Sequence, residues 1–181
     1  MGRHVAFLRG VNLGAKRRAS GAELRAAFES TGFEDVATFR TSGNVVFDAG
    51  NGKETELVAR AEAALREALG FEARVVLRSA REVKAIAAHE PFEPDVVAAT
   101  EGRLQVILAA DKPTASVRGA VLALASERDR LAIRGRELYW LPTAGTQASD
   151  LDQESLGAAL GLVTVRTMGT IEQIAAKFLG G

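Results

Sequence analysis

The sequence predicts an α+β protein of two ferredoxin-like β-α-β-β-α-β halves packed together, with an extra helix at the C-terminus. Three observations carry that expectation. Strand-like apolar runs and helical apolar stripes follow one another in the order β-α-β-β-α-β over residues 4–77. The same order returns over residues 104–166. The first strand, Val5-Ala6-Phe7-Leu8, is apolar on both alternations, which suits a central strand whose sheet is covered on both faces.

Each element has its own local reason. Residues 4–9 form a short apolar strand. Ser20 with Glu23 three residues on is a capping box, the sign of a helix start. Leu24, Ala27 and Phe28 are that helix's apolar stripe, and Gly32 closes it. Residues 36–40 and 45–48 are strands on either side of Thr41-Ser42-Gly43-Asn44, which has hairpin-turn composition. Residues 54–69 form a helix, with Leu57, Ala61, Ala64, Leu65 and Ala68 on one face and Gly70 as its stop. Residues 73–77 are the fourth strand. Ser79 and Glu82 make a second capping box, opening a helix to residue 89, and Pro91 and Pro94 end it and mark a linker.

In the second half, residues 104–109 are a strand and 114–126 a helix. A hairpin of residues 131–134 and 137–141 turns at Gly135. A loop over 142–148 leads to a helix over 151–160, stopped by Gly161, and then a strand over 162–166. Thr170-Ile171-Glu172-Gln173 caps a last helix ending near Leu179. The recurrence is one of topology; no residue-level repeat accompanies it. The expected domains are residues 1–80, ferredoxin-like, and 81–181, α+β. The second half, or a second copy of the chain, is the expected cover for the far face of the first sheet.

Composition narrows the function. With no cysteine among 181 residues, disulfide and thiolate chemistry are excluded, and a cytoplasmic location fits. The only histidines are His4 and His89, too few for a His-rich metal centre. The N-terminal apolar stretch is too short for a signal peptide and runs straight into Arg9, and no run suits a membrane helix. Lys plus Arg balances Asp plus Glu at 23 each, which argues against a general polyanion binder. Yet residues 1–22 hold Arg3, Arg9, Lys16, Arg17 and Arg18 and no acid.

In a β-α-β-β-α-β sheet the first and third strands are central and antiparallel. The end of the first, Arg9-Gly10-Val11-Asn12-Leu13-Gly14, then lies beside Ser42-Gly43-Asn44, and the helix beginning at Ser20 opens on the same edge. Arg9, Asn12, Lys16 and Asn44 are donors suited to an anion there, while Gly10, Gly14, Ser42 and Gly43 shape the loops. Arg166 and Thr170 are contributions from the second half if it folds back over that edge. The chain has no Gly-x-Ser-x-Gly elbow, His-Glu-x-x-His or Gly-Lys-Ser/Thr phosphate loop. Asp150, Asp152 and Glu154 read as an acidic first helical turn, with Mg²⁺ binding as the alternative. The sequence calls for no cofactor and no metal.

Residues 3–47 resemble the bacterial domain-of-unknown-function family 1697. The shared pattern is a strand ending in Arg-Gly-(Ile/Val)-Asn-(Val/Leu)-Gly, a basic loop, a helix, and Thr-x-x-x-Ser-Gly-Asn-Val-Val-Phe. Its counterparts here are Arg9 through Gly14, Lys16, Leu24 and Thr38 through Phe47. Ala15 and Gly21 depart from the family's glycine and methionine. Thr167 and Met168 replace an Asn-Trp pair that the family carries between the counterparts of Arg166 and Thr170. The resemblance implies ferredoxin-like halves and brings no catalytic residue.

The expected function is a binding module for a phosphate-bearing small ligand or nucleic acid, at the edge formed by the 9–18 loop and the 41–44 turn. With 6% aromatics, one tyrosine and one tryptophan, the chain lacks a base-stacking platform, which favours phosphate over base recognition. The alternatives are an enzyme acting on a phosphorylated substrate and a protein-interaction domain that uses Leu138-Tyr139-Trp140-Leu141 as an anchor. No membrane partner is expected, and the oligomeric state stays open.

Overall fold

A computed structural model of the chain describes residues 2–100 and 103–180. The fold is α+β with two four-stranded antiparallel sheets. The first contains β1 (Gly2–Arg9), β2 (Glu34–Phe39), β3 (Asn44–Ala49) and β4 (Arg74–Ser79), in the order β2-β3-β1-β4. The second contains β5 (Gln105–Ala109), β6 (Asp129–Arg134), β7 (Glu137–Pro142) and β8 (Val163–Thr167), in the order β6-β7-β5-β8. Both orders put the first and third strands of their half at the centre, as expected of ferredoxin-like halves. By internal contacts the chain divides into one unit of Met1–Lys84 with Ile174–Gly181 and another of Ala85–Gln173.

In the first unit, α1 (Gly21–Glu29) and α2 (Glu54–Leu69) connect the strands. Their apolar stripes, Leu24, Ala27 and Phe28 on one and Leu57, Ala61 and Leu65 on the other, join Ala6, Leu8, Val45, Phe47, Val75 and Leu77 in one core. Burying such side chains is worth roughly 1.5–3 kcal/mol each. Val5 and Phe7 point to the opposite face of the sheet and are also fully buried. The double-sided apolar pattern of β1 was therefore a true signal. Helix α2 ends as the sequence requires: Gly70 takes a left-handed φ of 73° and its N–H returns to the Arg66 carbonyl.

α3 (Ala80–Ala87) follows β4 without a loop, and Ser79 and Glu82 form the expected reciprocal cap. The residues around Pro94 are not only a linker. Pro94 opens α4 (Pro94–Ala98), since a proline at the first helical position loses no hydrogen bond and already has helical φ. In the second unit, α5 (Ala115–Leu122) and α6 (Gln153–Leu160) start at Thr114 and Asp152, whose side chains cap Val117 and Ser155 N–H groups. α5 ends four residues before the expected limit. A short 3-10 turn covers Thr146–Ala148. α7 (Met168–Phe178) begins two residues before Thr170, because Thr167 acts as its cap and its Oγ1 accepts from the Thr170 N–H at 3.3 Å.

Strand registers reveal what sequence comparison missed. Val5 faces Val46 and Arg78; Val106 faces Tyr139 and Arg166. Superposing these pairs aligns Arg78-Ser79 with Arg166-Thr167, Val83 with Ile171, and Ile86-Ala87 with Ile174-Ala175. Each buried guanidinium donates to the carbonyl of the residue before it, Arg78 to Leu77 at 2.8 Å and Arg166 to Val165 at 2.7 Å. The two halves thus share residues as well as topology. Burial pushes the Arg166 guanidinium down to about 10.

Candidate functional site

The edge where β1 ends is tied together by side chains from the expected motif. β1 and β3 pair antiparallel, and the Leu8 N–H continues the ladder to the Gly43 carbonyl at 2.8 Å. Gly43 has φ 78°, and a Cβ there would stand 2.6 Å from Val11 Cγ2 and 2.9 Å from Leu8 Cβ. Only glycine lets the turn close onto the strand end. Asn12, itself left-handed at φ 55°, is the fastener. Its Nδ2 donates to the Ala19 and Thr41 carbonyls, and its Oδ1 accepts from the Ala19 N–H at 2.9 Å. One side chain thereby closes the 12–19 loop and binds it to the hairpin.

Asn44 is fully buried, and its Nδ2 donates to the Phe39 carbonyl at 2.8 Å and to Ser42 Oγ at 3.0 Å. The helix start that closes this edge is filled from within. The Ser20 N–H and hydroxyl both donate to Glu23 Oε2 at 2.8 Å, while the Glu23 N–H donates to Ser20 Oγ at 3.1 Å. Hydrogen bonds from the Ser20 backbone and then its hydroxyl hold the Glu23 carboxyl below the ordinary range.

The cations occupy the outside. Arg9, Lys16, Arg17, Arg18 and Arg40 are all exposed. Arg17 reaches back over the loop: its Nη1 is 3.3 Å from where a Gly10 Cβ would stand, and its guanidinium lies 5.9 Å from the Phe71 ring centre. Gly10 and Gly14 have φ of 90° and 69°, so the loop folds through left-handed turns at both ends. Leu13, at the loop tip, is 64% exposed. Of the expected residues, the fold brings together Arg9, Gly10, Asn12, Gly14, Lys16, Ser42, Gly43 and Asn44. Arg166 and Thr170 belong to the second unit, both buried, with Arg166 Nη1 on Thr164 Oγ1 at 2.9 Å and the Thr170 hydroxyl against that of Thr167.

Arg40 and Leu13 are also exposed at this edge, outside the residues expected from the sequence. The sequence signal for Arg40 is a basic residue just before a hairpin turn; that for Leu13, an apolar residue in a Gly-rich basic loop, is weaker. Buried Arg78 lies one residue past the strand end expected at Leu77, because β4 continues to Ser79.

The matching edge of the second sheet differs in chemistry. The Ala109 N–H reaches the Arg136 carbonyl at 3.0 Å, the counterpart of Leu8 and Gly43, and Arg136 Nη1 donates to the Ala110 carbonyl at 3.0 Å. Lys112 and Arg134 stand there beside Asp111 and Glu137. His89 packs against the Tyr139 ring at 4.9 Å, and burial, then the nearby Arg134 charge, holds its imidazole below the usual range. The Leu138-Tyr139-Trp140-Leu141 run is buried strand, not an exposed anchor. Asp152 of the acidic cluster is the α6 cap, and hydrogen bonds from the Ser155 hydroxyl and backbone keep its carboxyl low. Among the described residues, no three His, Cys, Asp or Glu side chains are grouped to hold a metal ion, and no helix is long and apolar enough to cross a membrane. A cleft of about 340 Å³ lined by Glu90, Phe92, Glu93 and Arg130 includes none of the expected residues.

A family model described as "Protein of unknown function (DUF1697)" matches residues 1–139. The fold is similar to that of the conserved bacterial protein SP0830 from Streptococcus pneumoniae, with a TM-score of 0.70, 20% identity, and 99% of each chain covered. No functionally curated protein matches significantly.

Proposed function

Since the chain belongs to the DUF1697 family, whose function is unknown, we propose from the site's own geometry that it is an anion-binding module. It takes a phosphate-bearing small molecule or nucleic acid at the edge formed by the 9–18 loop and the 41–44 turn. The observation that carries this reading is the acid-free, exposed cationic loop that Asn12 closes and ties to the hairpin. A preorganised loop costs less ordering entropy on binding than a floppy one. Arg9, Lys16, Arg17 and Arg18 supply charge-assisted donors, and Gly10 and Gly14 give a ligand access to backbone. Asn12 and Asn44 act as supports that position the donors. The cysteine-free composition supports a cytoplasmic setting for such a module.

The test is a thermal-shift panel of nucleotides, sugar phosphates and short oligonucleotides on wild type and Arg9→Ala. A specific ligand at 100 times its dissociation constant adds about 2.7 kcal/mol of stability. A shift in wild type that is reduced in Arg9→Ala supports the reading. The absence of any shift across the panel refutes it.

A further inference from the structure

We infer that the ligand of this edge is a nucleic-acid strand gripped through several successive phosphates, not a lone phosphate or a mononucleotide; the inference rests on the reading of the edge as a phosphate site. The first reason is what the edge has to offer. A single phosphate is best held by neutral and charged donors converging on one point. Here the neutral amides are committed elsewhere: Asn12 to Ala19 and Thr41, Asn44 to Phe39 and Ser42. The helix start is closed by Glu23. What faces outward is charge on a ridge, with Lys16, Arg17 and Arg18 exposed on the loop and Arg9 and Arg40 at its foot. The Asn12–Thr41 hydrogen bond makes loop and turn one surface.

The second reason is charge matching. A phosphate monoester carries about 1.5–2 negative charges, too few to match the three exposed cations of the loop, Lys16, Arg17 and Arg18. A nucleic-acid strand presents one charge at every phosphate, so several can meet these cations at once. The third reason is Leu13, 64% exposed beside these cations. A strand alternates phosphates with apolar sugar and base faces on which such a side chain can rest, and inorganic phosphate offers none. Few aromatics are available, so recognition is directed at the backbone and tolerant of sequence.

The experiment is fluorescence anisotropy with a labelled 12-nucleotide oligo-dT at 50 and 200 mM NaCl, alongside competition by ATP and by inorganic phosphate. Three phosphate contacts on a single strand predict affinity about 18-fold weaker at the higher salt. K16Q/R18Q, at exposed positions that leave the fold intact, should cut that loss to about threefold. Leu13→Ala should weaken binding equally at both salts and leave the ratio unchanged. K112Q/R134Q, on the matching edge of the second sheet, should bind like wild type. A wild-type loss of only about threefold, or displacement by ATP as effective as by unlabelled oligo-dT, overturns the strand and leaves the phosphate site standing. So does binding to phosphatidylglycerol vesicles without binding to the oligonucleotide. Equal weakening by K112Q/R134Q and K16Q/R18Q overturns it as general charge attraction. No binding of oligonucleotide, ATP or phosphate overturns both readings.

Discussion

Phe47 and Trp140 occupy matching places on the third strands of the two sheets, yet each is secured by different chemistry. Phe47 pairs with His4 across β1, and Trp140 with Gln105 across β5. Phe47 sits in an aromatic cluster, 5.2 Å from the Phe28 ring and 4.5 Å from Phe33. The Trp140 indole N–H donates to buried Asp129 at 2.7 Å. That carboxylate also accepts from the Ser149 hydroxyl at 2.6 Å and the Asp150 N–H at 3.0 Å, pinning the loop after β7. The edges differ likewise: Gly43 in one hairpin, Arg136 in the other. Backbone pairing fixes where side chains meet, but different sets of side chains can satisfy the same geometry. A shared scaffold therefore does not imply a shared site, and the acid-free cationic loop of residues 9–18 belongs to the first half alone.

The largest expected effect tests the aromatic cluster. Phe47→Ala should cost about 3–5 kcal/mol through lost transfer energy and the cavity left behind, read from urea unfolding followed by circular dichroism. A loss under about 1 kcal/mol would mean that Phe28 and Phe33 pack as well without it. Next, Asp129→Ala leaves three donors without their acceptor and should cost about 3 kcal/mol. Trp140 is the sole tryptophan, so its fluorescence reports the change locally. An unchanged emission spectrum would count against the clasp.

Gly43→Ala should cost about 2–3 kcal/mol, from crowding against Val11 and Leu8 and from its positive φ. Arg136→Ala at the matching position should cost about 1 kcal/mol, and equal losses would erase the contrast between hairpins. Ser20→Ala should cost about 1 kcal/mol, more than Thr114→Ala, because Ser20 has a reciprocal partner in Glu23 and Thr114 faces Val117. The smallest effect is acid sensitivity. The folded Glu23 carboxyl titrates below its unfolded counterpart, so its contribution is present above the ordinary carboxylate value of about 4 and lost as pH falls through the folded one. Glu23→Gln should lose less stability than wild type between pH 5 and pH 3. An equal loss in both would assign the acid response to other carboxylates.

The parts legible in sequence were those governed by neighbours within a few residues. Ser20 with Glu23, Ser79 with Glu82 and the Gly70 stop announced their helices, because a cap is made by residues three or four apart. The double-sided pattern of β1 announced a strand buried on both faces. Pro94 misled: a proline that breaks a helix and one that begins a helix look alike until the following backbone is seen. The recurrence of Arg78-Ser79 in Arg166-Thr167 escaped notice, since only strand register supplies the alignment that shows it.

For the candidate site, residue types and their chain order placed Arg9, Asn12, Lys16 and Asn44 on one edge. What each amide does was decided across distance: Asn12 binds Thr41, 29 residues away, and Asn44 turns inward to Phe39. Thus sequence alone determined the elements, their order and the concentration of positive charge near the N-terminus, because propensity, capping and charge are local properties. Only the tertiary structure decided which polar groups are consumed in holding the fold and which face solvent. A hydrogen bond between remote segments depends on where the chain returns, and no single stretch of sequence contains that information.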